Sequence, residues 1–261
     1  MPENGNASRQ QDNTPSCYKG NHREEAVLAG CPVFRGLDTA HHAGILAAAR
    51  TREFARGEWL YMDGDPIKEV LLLTSGRAKI TKYGENGGAA ILGIGGPGDI
   101  LGAATLFSTG THTTTAEPVQ RCRALAWCAS AFRAFVERFP ILYPNLIRIH
   151  AEYLEQLEER FHEVATELVS QRVARQLVRL HEKTVRPAAD QTEIRFSQEE
   201  LAQMTGTTLF AVNRLLSEWE VRGMVTSRRQ ALTIHNAESL RAMSGFGYAQ
   251  MGVSCPLRRS G

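Results

Sequence analysis

The sequence predicts an α+β fold: an N-terminal β-roll of jelly-roll type, a long central helix and a C-terminal winged helix-turn-helix. Three observations carry that prediction. Glycines punctuate strand-length apolar pieces from Phe54 to about Phe132, an apolar stripe at helical spacing follows Pro140, and Phe196 to Ile234 reads as helix, turn, helix and basic hairpin.

Residues 1–25 are polar, with several Asn, Gln, Ser and Gly, and read as a flexible tail. Pro32 to about Ala49 reads as short helices. Beyond it, WLYM, EVLLLTSG, RAKITKY and AAILGI lie among Gly57, Gly64, Gly76, Gly84, Gly93 and Gly102, the spacing of a compact antiparallel sandwich or barrel. Residues 26–138 are therefore expected to form a β-roll. Residues 139–170 should form a dimerisation helix, because Leu146, His150, Tyr153, Leu157, Phe161, Val164 and Leu168 are separated by 4, 3, 4, 4, 3 and 4 residues. Such a seam suits pairing with its own copy in a parallel homodimer.

Residues 171–243 complete the fold. Gln171 to Lys183 is amphipathic, and VRPAADQTE is a turn-rich link. Ser197 with Glu200 forms a capping box, Leu201 and Met204 give the first helix an inward face, and Gly206 ends it. Thr207 or Thr208 caps the second helix, in which Val212, Leu215, Leu216 and Trp219 recur on one side. Its other side carries Thr208, Leu209, Phe210, Ala211, Asn213 and Arg214. Asn can bond adenine in two places, and Arg can bond O6 and N7 of guanine, so this face is expected to read duplex DNA. Gly223 stops the helix. Met224–Thr226 and Ala231–Ile234 read as strands joined by Ser227, Arg228, Arg229 and Gln230, which would reach flanking phosphates. Residues 244–261 read as a second flexible tail.

Composition narrows the function classes. A length of 261 residues and 43% hydrophobic content fit a soluble protein with real cores, and no long apolar run is present to span a membrane. The first residues lack an apolar signal core, so a cytoplasmic location is expected. Cys17, Cys31, Cys122, Cys128 and Cys255 are odd in number and contain no CxxC pair, which argues against a disulfide framework. The net charge of +2 neither proves nor excludes a nucleic-acid partner, because a local basic face matters more than the total.

The order of parts resembles the CRP/FNR family of transcription regulators over about residues 32–243. The segments that carry the likeness are RGEWLYMDGDPIKEVLLLTSGRAKI, PGDILGAATLF and LAQMTGTTLFAVNRLLSEWEVRGMV. The resemblance implies a cyclic-nucleotide-binding-like roll, a homodimer on an inverted-repeat operator, RNA polymerase as a partner, and no enzymatic activity. Its effector pocket would involve Gly98, Asp99, Ile100, Gly102, Thr113 and Thr114. Nucleotide-binding relatives use a Gly-Glu pair for ribose and an Arg followed by Ser or Thr for phosphate. Here Gly98 precedes Asp99, GTHTTTAEP contains no arginine, and Arg121 and Arg123 come too late, so cyclic AMP is not the expected ligand. The match is closer to the oxygen- and nitrogen-oxide-responsive branches. Family members commonly carry a glutamate where this chain has Phe210, with another base-facing position at Leu209, while Arg214 matches the motif's arginine.

The cofactor is not named by the residues, and no metal site is assigned. Cys17, Cys31, Cys122 and Cys128 could supply the number of ligands for an iron-sulfur cluster but lack the tight local set. Haem is the alternative, with His22, His41, His42, His112, His150 or His162 as axial candidates. A thiol switch at Cys17 or Cys255 is a further route. Two other function classes compete. A cupin-like metal-dependent enzyme would need a close His pair on a strand followed by Glu, whereas His41 and His42 precede the roll and His112 stands alone. A cyclic-nucleotide module is disfavoured by the missing arginine and by the C-terminal winged helix.

Overall fold

The computed structural model of the chain describes residues 22–182, 192–228 and 230–245. Helix α1 (His22–Gly30), a 3-10 turn (Pro32–Phe34) and α2 (Thr39–Ala47) precede the strands. The polar tail expected through residue 25 thus gives way to helix at His22. The reason is tertiary: Leu28 is buried against the roll, and a polar sequence window cannot reveal that anchor.

Seven strands form the roll: β1 (Arg50–Phe54), β2 (Glu69–Ser75), β3 (Ala78–Tyr83), β4 (Ala89–Gly95), β5 (Ile100–Leu101), β6 (Thr115–Pro118) and β7 (Cys122–Cys128). They make two antiparallel sheets, ordered β1-β7-β2-β5 and β4-β3-β6. In β2, Val70 to Leu73 are buried on both faces, because one side meets the sandwich interior and the other meets helices. Trp127 fills the helical side, with its ring 5.7 Å from that of Phe34 and its indole N–H donating to the Ile45 carbonyl at 2.8 Å.

Helix α3 (Ala129–Arg138) leads into α4 (Leu142–Thr166), the long helix. Asn145 pins α4 to the roll by donating to the carbonyls of Val33 (2.9 Å) and Arg35 (2.8 Å). The stripe expected for dimerisation divides here. Leu146 is only 5% exposed and sits in the roll core, while His150 and Tyr153 are half-buried. Leu157 is half-buried as well, whereas Phe161 is 76% exposed and Val164 and Leu168 are also exposed. The outward apolar row instead begins at Ile147 and continues through Leu154 and Phe161 to Leu168, every seventh residue. Leu168 lies just past the helix, which ends at an extended Glu167.

Helix α5 (Val169–Glu182) opens the C-terminal part, followed by β8 (Thr192–Ile194), α6 (Gln198–Thr205), α7 (Leu209–Val221), β9 (Val225–Arg228), β10 (Ala231–Ile234) and α8 (Ala237–Met243). The three strands form an antiparallel wing sheet in the order β8-β10-β9. Val173, Leu177, Leu201, Val212, Leu216, Trp219 and Leu232 build a separate core beneath it. Among the described residues no helix is long and apolar enough to cross a membrane.

Candidate nucleic-acid interface

The start of α6 is closed by the reciprocal pair expected from the sequence. Ser197 Oγ accepts from the Glu200 N–H at 3.1 Å, and Glu200 Oε2 accepts from the Ser197 N–H at 2.8 Å. Gly206 ends α6 in the left-handed conformation, φ 59°, which a side chain would strain. After Thr207, Thr208 is the cap of α7, its hydroxyl accepting from the Ala211 N–H at 3.2 Å. Val212, Leu215, Leu216 and Trp219 are buried, so the opposite side of α7 must face outward.

That outward side carries Phe210, Arg214, Ser217 and Val221, with Leu209 and Asn213 flanking it. Phe210 is 77% exposed and Leu209 is 44% exposed, whereas Ala211 is half-buried. Among the described residues Arg214 and Asn213 have no side-chain hydrogen bond or ion pair. Arg222 contrasts with them, being held to Glu218 at 2.6 Å on the same helix. Arg228 is exposed at the end of β9, and Arg229 lies outside the described residues. The wing is tied to both helices through Ser227, whose hydroxyl accepts from the Gln198 amide of α6 at 2.9 Å and whose N–H donates to the Glu220 carboxylate of α7.

This surface does not stand apart from the roll. Lys79 Nζ of β3 lies 3.4 Å from Glu200 and 3.5 Å from Glu117, so the capping carboxylate of α6 also meets a roll lysine. Arg56 donates to Gln230 of the wing at 3.0 Å, Ile94 of β4 packs against the C-terminal core, and Arg160 donates to the Leu92 carbonyl. A cavity of about 200 Å³ lies at this junction, lined by Ile94, Arg160, Gln176, Arg179 and Met204 among others. Burial pushes the Arg160 guanidinium below its ordinary pKa, with neighbouring Arg179 adding to that. The sequence carries no local signal for these contacts, because every pair is distant along the chain.

The joint between α4, α5 and the turn is held by Arg172. Its guanidinium donates to the carbonyls of Thr205, Val164 and Glu167, each at 3.1 Å, and of Gly206 at 3.4 Å. Beside it, Glu163 pairs with Arg179, and Arg175 bonds Glu167 at 2.6 Å.

The effector candidates in the roll separate into two groups. Gly98 and Asp99 occupy a surface turn, where the Asp99 carboxylate accepts from the Gly96 N–H at 2.7 Å and closes its own loop. Ile100 is in β5. Gly102 faces inward instead: a Cβ there would come within 3.0 Å of the Glu69 carbonyl and 3.3 Å of the His112 ring. Ala103 follows it, buried and without a carboxylate. Thr114 bonds Tyr61, and the Tyr61 ring lies flat on His112 at 3.9 Å. Burial raises the Tyr61 hydroxyl to about 12 and holds His112 below the usual histidine range. Thr113 is exposed, and Lys82 reaches its carbonyl at 2.9 Å while paired with Asp63 at 2.7 Å. Arg121 and Arg123 pair with Glu53 on the outer surface. The cation beside Thr113 is thus Lys82, already paired with Asp63, while Arg121 and Arg123 are engaged by Glu53.

The metal and redox candidates are dispersed. Cys31 is in the helical core, with burial raising its thiol to about 11, and burial also raises Cys122 in β7. Cys128 is exposed at the start of α3, where the Ser130 hydroxyl and the Ala131 N–H lower its pKa. Cys17 and Cys255 lie outside the described residues. Among the described residues no three His, Cys, Asp or Glu side chains are grouped to hold a metal ion. His41 pairs with Asp38 at 2.8 Å, His150 meets the Leu146 carbonyl at 2.7 Å, and His162 is exposed. His22 and His42 line an open groove of about 620 Å³ between α1 and α2, floored by Leu28 and Leu46.

Comparison with known proteins agrees with both halves of the fold. Residues 51–139 match the cyclic nucleotide-binding domain family, and residues 171–243 match the Crp-like helix-turn-helix domain family. The chain is 26% identical to the CRP-like cAMP-activated global transcriptional regulator of Mycobacterium tuberculosis, over 83% of this chain and 97% of that one. It is 21% identical to the fumarate and nitrate reduction regulatory protein of Salmonella typhimurium, over 75% and 79% of the two chains. The c-di-GMP responsive global regulator CLP of Xanthomonas campestris shares the fold, with a TM-score of 0.66, 19% identity and coverage of 76% of this chain and 99% of that one. With a roll and a Crp-like helix-turn-helix joined in this order by a long helix, the chain belongs to the CRP/FNR family of transcription regulators.

Proposed function

We propose that this regulator is a cytoplasmic homodimer that binds an inverted-repeat operator, engages RNA polymerase there and answers to a signal sensed in its roll. The observation that carries the reading is the outer face of α7, where Asn213 and Arg214 stand exposed with no partner among the described residues. Unpaired donors on a helix that fits the major groove are what base reading requires. Dimerisation is supported by the row Ile147, Leu154, Phe161 and Leu168, because apolar side chains at seven-residue spacing favour a second copy of the helix over water. A two-fold dimer sets its recognition helices about one DNA turn apart, which makes the operator palindromic. On this reading residues 26–138 sense, 139–170 dimerise and 171–243 bind DNA.

Selection of bound fragments from random duplex DNA tests the reading, and a palindrome with half-sites about one turn apart is expected. Arg214→Ala should weaken binding and relax preference at one base pair by about 1–3 kcal/mol. A uniform loss at every operator position would show that Arg214 touches only backbone.

For the signal, the roll residues favour a ligand other than a cyclic nucleotide. His22 and His42, which line the groove between α1 and α2, are the residues that would hold a haem there. The His42 Nε2 is engaged by the Phe34 carbonyl at 3.2 Å, so a ligand role for this ring would fall to its other nitrogen. When bound, haem would supply an iron centre for a diatomic gas. An absorption spectrum of protein purified without oxygen decides: a Soret band lost in His42→Ala supports haem at this groove, and a featureless visible region removes it.

A further inference from the structure

We infer that Phe210 is a specificity-determining residue that seats its ring on the C5-methyl group of a thymine in each half-site, about two base-pair steps from the base read by Arg214. The inference rests on the DNA-binding reading above and deepens it by naming the base.

Placement comes first. Thr208 caps α7, so Phe210 stands in the first helical turn on a backbone fixed by the hydrogen bond to Ala211. The first turns of a recognition helix are the part that meets base edges. Phe210 and Arg214 are four residues apart on the side opposite Val212 and Trp219. They therefore point the same way, about 6 Å apart along the helix axis. Base pairs step by about 3.4 Å, so the two side chains address positions separated by about two steps.

Chemistry then selects the base. A phenyl ring neither donates to nor accepts from the polar atoms of a base edge. In the major groove, thymine alone presents a methyl group, and apolar side chains contact it there. A cytosine amino group or a guanine carbonyl under the same ring would lose its water and gain no hydrogen bond. The ring is also free to be used: it is 77% exposed and has no aromatic partner among the described residues. Leu209 beside it is also exposed, which makes this end of α7 apolar while Asn213 and Arg214 supply the polar contacts. The expected half-site thus joins a thymine to the guanine of Arg214, with adenine as the base matched to Asn213.

The test uses the full chain and the operator recovered by selection, at one fixed ionic strength. Replacing each half-site thymine in turn by uracil removes only the methyl group. At one position the wild type should lose about fourfold in affinity per half-site, the equivalent of ~0.8 kcal/mol, and about fifteenfold when both half-sites are changed. Phe210→Ala should bind the thymine operator more weakly and no longer distinguish it from the uracil operator. Phe210→Leu should retain part of the distinction, which shows that an apolar contact and not the fold is being measured. A wild type that binds the operator yet is indifferent to uracil everywhere overturns the inference. So does a Phe210→Ala variant that keeps the full distinction. If the wild type binds no duplex at all, the DNA-binding reading fails and this inference fails with it.

Discussion

In α7 the side chains Phe210, Asn213 and Arg214 face solvent, whereas in the roll Tyr61 and His112 close on each other 3.9 Å apart. One set of side chains is open to solvent; the other pair is packed on itself. The difference teaches where each site's information lies. The α7 surface depends on caps and helical spacing within a short stretch of chain, while the roll interior depends on strands that meet from distant positions.

The largest effect is expected at Arg172, which lies in neither region but ties the turn before α7 to the end of the long helix. Arg172→Ala removes a guanidinium from four carbonyls in a site only 9% exposed, leaving them without that donor. A loss of about 3 kcal/mol in denaturant unfolding of the C-terminal part is expected. Arg172→Lys should recover only a fraction of it, since an ammonium cannot span the same acceptors. A smaller effect sharpens the local character of the DNA face: Thr208→Ala should cost about 1 kcal/mol by freeing the Ala211 N–H. DNA affinity should fall with it, because the capped turn carries Phe210.

The smallest effect concerns the self-filled roll. Burial keeps His112 below the ordinary histidine pKa, against a weaker opposing pull from Asp65. The unfolded chain therefore takes up protons more readily as pH falls through about 6.5. The stability contributed by neutral His112 is complete above that pH and is lost as pH falls towards the folded value. Denaturant midpoints at pH 7.5 and 5.5 should separate in the wild type and separate less in His112→Phe. The residual slope belongs partly to His181, whose pKa burial also lowers. An unchanged slope in the variant would show that burial does not hold His112 neutral.

The parts legible in the sequence were those written in local chemistry. Ser197 with Glu200, Gly206 and Thr208 each obey a rule spanning three or four residues, and all three form as expected. The long helix was legible as a helix but not in its facing. Its beginning packs on the roll through Leu142 and Leu146 while its later turns leave Leu154 and Phe161 exposed, so a single apolar stripe merged two surfaces. The seven-residue row from Ile147 was present in the sequence and becomes distinct once Leu146 is seen to be buried. The Tyr61 and His112 stack, the burial of Leu28 and the meeting of Lys79 with Glu200 had no local signature. Strand pairing and domain docking create them.

The four acceptors around Arg172 are all peptide oxygens, and a peptide oxygen does not titrate in the range where proteins stay folded. The Arg172 contacts between the long helix and the helix-turn-helix therefore do not depend on a partner's charge, unlike the Glu163–Arg179 and Glu167–Arg175 pairs beside them.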